Sequence, residues 1–223
     1  MLVFIVVSYA IIKMQKRKGL SAYGLFELGK YKFNLANGLL LGFAFAALSN
    51  MITVWLQWNE FSLAPSLLQI IIQTMIFAAG TLLPSLAEDI LTRAYLFAHR
   101  PQRLNKNLFA LVPALAFVLN HIFRLPHTDV MVYLFILGSL LAWCLDYTRS
   151  LWLTFGIHWR SNIAYQFFAK CHYSKTIKEI GYDNFLLAAS YLIGWAIIFI
   201  LYKLQFFKIA HDTAAIKTER SRE

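Results

Sequence analysis

The sequence predicts an all-α, polytopic membrane protein of about seven transmembrane helices, and three observations carry that prediction. The chain of 223 residues is 59% hydrophobic and only 14% charged, outside the composition of soluble globular domains. Its apolar residues fall in runs of spanning length. Its lysines and arginines gather in the short stretches between those runs. The formal net charge of +10 therefore sets topology and meets anionic headgroups, so the lipid bilayer is an expected partner. No folded basic module accompanies the charge, and nucleic acid is excluded as a partner.

The first apolar run, about 1–12, is followed rather than preceded by positive charge (Lys13, Lys16, Arg17, Lys18). A secretory signal has the opposite order, so this run reads as a retained helix. Further helices are expected at about 36–57, 67–98, 107–124, 129–147, 150–169 and 184–206. The third is too long for one crossing, reaching roughly 48 Å against roughly 30 Å of hydrocarbon. Pro84 lacks the amide hydrogen that a helix needs and has Gly80 nearby. The helix is expected to break there, so that Glu88 and Asp89 begin a new helix against protein or a wet cavity.

Basic stretches at Lys13 to Lys32, His99 to Lys106, Arg149 and the tail from Lys208 fall on alternate connections. The others are led by Asn59 and Glu60, by His127 and Asp129, and by a mixed segment from Lys170 to Asp183. The positive-inside rule then puts the N-terminus outside and the C-terminus in the cytoplasm of a bacterial inner or plasma membrane. One transmembrane domain is expected over 1–208, followed by a polar cytoplasmic tail over 209–223. Cys144 and Cys171 make neither a metal pair nor a disulfide framework, and Cys144 reads as apolar filler. His99, His127, Asp129, Asp146, His172 and His211 sit in or beside connections and read as solvated or headgroup-facing.

Three polar constellations interrupt the apolar runs: Glu88 and Asp89 with Arg93, His121 after Phe117, and His158 with Asn162. Facing lipid, the two acids, the arginine and the two histidines would together cost roughly 10 kcal/mol, so they are expected to face one another or water. Acids, imidazoles and a carboxamide are the groups that activate water and hold an oxyanion, which points to hydrolysis within a membrane. Adjacent helical positions lie about 100° apart, so Glu88 and Asp89 cannot both point into one site. Glu88 reads as the water-activating carboxylate, and Asp89 as the acid that pairs with Arg93 or another donor. Phe117 with His121, and His158 with Asn162, are i, i+4 pairs that each share a helix face. His158 and Asn162 either donate to a developing oxyanion, or His158 binds a metal. Arg160 points away from that face and snorkels. Taken singly, each constellation also fits a structural role: acids at an interfacial helix end, a hydrogen-bonded histidine, a helix–helix contact.

As an ordered set the motifs resemble the CAAX-protease and bacteriocin-processing family of intramembrane proteases (CPBP, or Abi). Its pattern is Glu-Glu-x-x-x-Arg, then Phe-x-x-x-His, then His-x-x-x-Asn or Asp on a third helix. Here these read Glu88-Asp89-x-x-x-Arg93, Phe117-x-x-x-His121 and His158-x-x-x-Asn162, within a family-like core of about 80–165. Pro84, Gly138 and the Ser150, Leu151, Trp152 sequence agree as well. The resemblance implies that Glu88 and His121 activate water while His158 and Asn162 stabilise the oxyanion. An alternative family view makes His121 and His158 metal ligands, zinc being the metal whose catalytic set a glutamate and two histidines suit. The chain departs from the pattern at Asp89, shorter than Glu by a methylene, and at Ala94 and Arg149, where the family often has glycine.

The sequence thus predicts an intramembrane endopeptidase cutting near the cytoplasmic side. Its substrate is a peptide or protein reached from the membrane: a prenylated C-terminus, a leader peptide or a sorting tail. Two other classes compete: a catalytically inactive membrane scaffold or immunity-type protein of the same fold, and a proton-coupled transporter. The sequence lacks the internal repeat that many transporters show.

Overall fold

The computed structural model describes residues 2–16, 19–25, 28–61, 66–100, 105–124, 126–170, 174–177 and 183–207. The expected tail over 209–223, together with His172 and His211, lies outside them. Helix α1 (Leu2–Met14) is followed by a 3-10 turn at Gly19–Tyr23 and by α2 (Leu28–Trp55). One long rod then combines α3 (Leu67–Asp89), a π-helical turn (Ile90–Ala94) and α4 (Tyr95–Ala98). After it come α5 (Lys106–Leu119), α6 (Thr128–Thr148), α7 (Leu151–Lys170) and α8 (Asp183–Lys203). Short strands β1 (Asn59–Phe61) and β2 (Ser174–Thr176) pair antiparallel between α2 and α3 and between α7 and α8.

The fold is all-α, with four helices long and apolar enough to cross a membrane among the described residues: Gly19–Trp55, Leu67–Ala98, Thr128–Thr148 and Asn184–Lys203. Helices α1 and α5 are apolar but shorter. The seventh, α7, carries His158, Arg160, Ser161, Asn162 and Gln166. It tolerates them because it packs against α2, α3 and α6, so protein rather than lipid surrounds most of it.

Glycine sets how closely α7 and α2 approach. A Cβ on Gly156 would lie 2.7 Å from Leu35 O, 2.9 Å from Gly38 Cα and 3.0 Å from Leu39 N, all backbone atoms. Such close backbones are the small-residue mode of helix packing in membranes. Gly138 likewise admits α5 against α6, where a Cβ would meet Ala114 Cα at 3.1 Å and Phe117 Cβ at 3.2 Å. On its other side α7 is tied to α3 by Trp159 Nε1, which donates to Ala78 O at 3.0 Å. Phe45, Phe117, Leu134, Leu137, Leu140, Leu141, Leu153, Ile157 and Tyr191 fill the core between these elements.

The break expected at Pro84 is corrected. Helix α3 continues through Pro84, and the irregularity comes later, in the π-helical turn beginning at Ile90. Proline removes one i→i−4 bond, and the surrounding rod absorbs that loss. The π turn adds a residue to the helical repeat and so rotates the helix beyond it, a device found often at functional sites. Glu88 and Asp89 accordingly end a helix instead of beginning one.

The two ends of the bundle differ in chemistry. At one end His99 Nε2 meets Gln15 Oε1 at 2.8 Å, Leu151 N donates to Gly24 O at 2.9 Å, and Arg149 lies over the Phe97 ring. This end gathers the basic connections. Asp146, expected to be solvated, is buried there and paired with Arg100, because the α4 and α6 termini meet. Arg149 adopts φ 56 and ψ 14 at the α6 C-cap, the left-handed conformation that favours glycine. The other end carries β1 and β2, with Asn184 donating to Asp129.

Candidate active site

Two helical elements, the α3 rod and α7, bring the bonded polar residues together. The rod of α3 supplies Ser85, Glu88 and Asp89, the π turn supplies Arg93, and α7 supplies His158 and Asn162. Asp89 and Arg93 are wholly buried and ion-paired at i, i+4. Asp89 Oδ1 also accepts from His158 Nδ1 at 2.7 Å. One carboxylate thus holds a guanidinium from its own rod and an imidazole from α7. An ionised carboxylate only accepts hydrogen bonds, so it places the His158 proton on Nδ1 and leaves Nε2 with a lone pair.

His158 Nε2 faces Glu88 Oε2 at 3.7 Å and Asn162 Nδ2 at 3.2 Å. The Glu88 side chain is 19% exposed where Asp89 is fully buried, so Glu88 is the acid that reaches free volume. Asn162 Nδ2 donates to Ser85 Oγ at 2.9 Å as well, which commits its two hydrogens to Ser85 and His158. Phe117 is the shared apolar wall. Its ring lies 5.4 Å from His158 edge-on, 4.9 Å from His121, and beneath Arg93 at 4.8 Å.

His121 follows α5 in the turn after it, and its Nδ1 meets Phe117 O at 2.8 Å, which leaves Nε2 for other partners. Glu88, His121 and Asn162 line one cavity of about 700 Å³, while His158 sits just behind its wall. That volume lies within the range of ligand sites. Tyr133, Tyr165, Gln166 and Asn50 add polar groups to its wall, and Arg124, Asn59 and Asn184 carry it to the β1–β2 end. Glu88 itself lies about ten residues, roughly 15 Å of helix, from the end of α4. The reacting depth is thus nearer the basic end, whereas the cavity extends toward the other.

Ser85 was not singled out by the sequence, although its i, i+4 relation to Asp89 puts both on one helix face. The bond from His158 to Asp89 was also unexpected, because sixty-nine residues separate them. Arg160 takes its expected place away from the site, over the Phe43 ring at 4.8 Å. The zinc alternative would draw on His121 and His158. Among the described residues no three His, Cys, Asp or Glu side chains form a group able to hold a metal ion.

The model of one protein family, described as type II CAAX prenyl endopeptidase Rce1-like, matches residues 69–164. Over that segment the chain is similar to this family. The resemblance read from the motifs is therefore shown, and the Rce1-like segment takes in every residue of the cluster from Ser85 to Asn162. No curated protein and no solved structure matches the chain.

Proposed function

We propose that the protein is an intramembrane endopeptidase in which Glu88 activates a water molecule for attack on a peptide bond. The observation that carries this reading is the 3.7 Å gap between Glu88 Oε2 and His158 Nε2 beside the cavity. With the Asn162 amide turned from Nε2, two acceptors at that separation can share one water, each taking one of its protons as hydrogen bonds. As the water oxygen attacks the carbonyl carbon, its proton passes to Glu88, assisted by His121 from the cavity wall. The carbonyl oxygen gains negative charge and takes hydrogen bonds from Asn162 and, once Glu88 has handed that proton on to Nε2, from His158. For this the Asn162 amide leaves its longer bond, the one to His158 at 3.2 Å. The proton returns from Nε2 through Glu88 to the leaving amine, and the peptide bond breaks. Asp89 supports the charged imidazole throughout by accepting from Nδ1.

Membrane-associated peptides fit the cavity's setting: prenylated C-termini, leader peptides and C-terminal sorting tails. With the basic connections cytoplasmic, the C-terminus is cytoplasmic as well. The test is a comparison of membrane-protein termini in cells carrying wild type or Glu88→Gln, with cleavage of a farnesylated CAAX peptide by the purified protein. Termini that form only with wild type support the assignment. Full turnover by Glu88→Gln refutes it.

A further inference from the structure

Strands β1 and β2 form a two-stranded sheet in which Asn59 faces Thr176 and Glu60 faces Lys175. Just outside it, in the same register, Ile177 N donates to Trp58 O at 2.7 Å. Bonded and non-bonded pairs alternate along an antiparallel ladder. Trp58 with Ile177 and Glu60 with Lys175 are therefore the bonded pairs, and the N–H and C=O of Asn59 point away from β2. They point along the outer edge of β1. Asn59 also lines the cavity that holds Glu88, and its Oδ1 is buried with no hydrogen-bond partner among the described residues. An outward row of backbone donors and acceptors is a template for one more strand.

We propose that the outer edge of β1 receives the substrate as an added strand, so that an extended peptide pairs with Asn59 and is led along the cavity toward Glu88. This rests on the peptidase reading. The occupant follows from the chemistry: a helical substrate has its carbonyls engaged in its own i→i−4 bonds, whereas an extended one offers them both to an edge and to attacking water. Strand addition recognises main chain, so the site accepts varied sequences and selects through alternate side chains.

The test uses a fluorescent, farnesylated peptide with a CAAX tail, bound to Glu88→Gln protein in nanodiscs so that cleavage does not intervene. Its backbone amides are N-methylated one at a time. Edge pairing engages every second residue, so affinity should fall about fivefold (~1 kcal/mol) at alternate positions and little between them. Asn59→Pro removes the outward donor without touching the bonded pairs, and should weaken the unmodified peptide about fivefold and flatten the alternation. Asn59→Ala, which keeps the backbone donor, should preserve it. Uniform losses along the peptide, or an unchanged alternation in Asn59→Pro, would overturn the proposal. Cleavage of the unmodified peptide by wild type is measured in parallel. Cleavage without alternation removes the edge and leaves the peptidase, and alternation without cleavage does the reverse.

Discussion

Asp89→Asn separates what the buried carboxylate does for Arg93 from what it does for His158. The substitution keeps the shape, so packing around Phe117 is preserved. It removes the acceptor charge that His158 Nδ1 meets at 2.7 Å. A hydrogen bond to a charged group contributes about 1.5–3 kcal/mol, and each 1.36 kcal/mol is tenfold in rate, so losing orientation alone should lower turnover roughly 10- to 100-fold. The amide can also donate to Nδ1 and drive the imidazole proton to Nε2, cancelling the lone pair that faces Glu88. In serine-protease triads the equivalent change costs about 10⁴-fold, which sets the upper bound. Stability should fall too, because Arg93 is fully buried and its Nε and Nη2 have no hydrogen-bond partner among the described residues. Breaking a buried pair costs about 3–5 kcal/mol. Adding Arg93→Leu should recover stability without recovering rate. The measurements are cleavage of the farnesylated peptide and thermal unfolding in nanodiscs. Turnover within about threefold of wild type, with stability lost, would show that Asp89 only braces Arg93.

The other predictions bear on neighbouring parts of the same assembly. Asn162→Leu deletes the amide bonded to Ser85 and His158 and should lower kcat about 10²- to 10³-fold with little change in KM. A loss under fivefold would remove it from the oxyanion site. Gly156→Ala puts a methyl against the α2 backbone and should destabilise by about 1–3 kcal/mol, with cleavage falling as His158 moves. Gly29→Ala, where nothing lies within 4 Å, serves as the control and should unfold like wild type. Dialysis against a zinc chelator should leave cleavage unchanged, and activity lost and then restored by zinc would replace the proposed mechanism.

Much of the fold was legible because lipid imposes a simple rule on helices that face it. The runs that became α2, α3, α6 and α8 had to be long and apolar, and hydropathy found them. Helix α7 was expected at about 150–169 and forms at Leu151–Lys170, but its surroundings were not legible, since a helix enclosed by protein escapes the lipid constraint. Pro84 misled for a related reason. A missing amide hydrogen shows in the sequence, but whether the helix bends, breaks or passes through depends on what packs around it. The π turn at Ile90–Ala94 has no comparable mark, because no single residue type specifies it.

Within the site, spacing alone placed His158 and Asn162 on one face and made Glu88 and Asp89 diverge, because helical periodicity is local and fixed. The ordered motifs also named the family that residues 69–164 match. Spacing could not say which imidazole Asp89 would meet, nor that Ser85 would hold the Asn162 amide. Nor could it show that a strand edge would stand at the cavity's far end. Those pairings join α3 to α7, far apart in the chain, on the side of α7 away from the close α2 contact that Gly38, Gly42 and Gly156 allow. Sequence determined which side chains share a helix face; tertiary packing decided which faces meet, because contact between helices depends on their approach rather than on residue spacing.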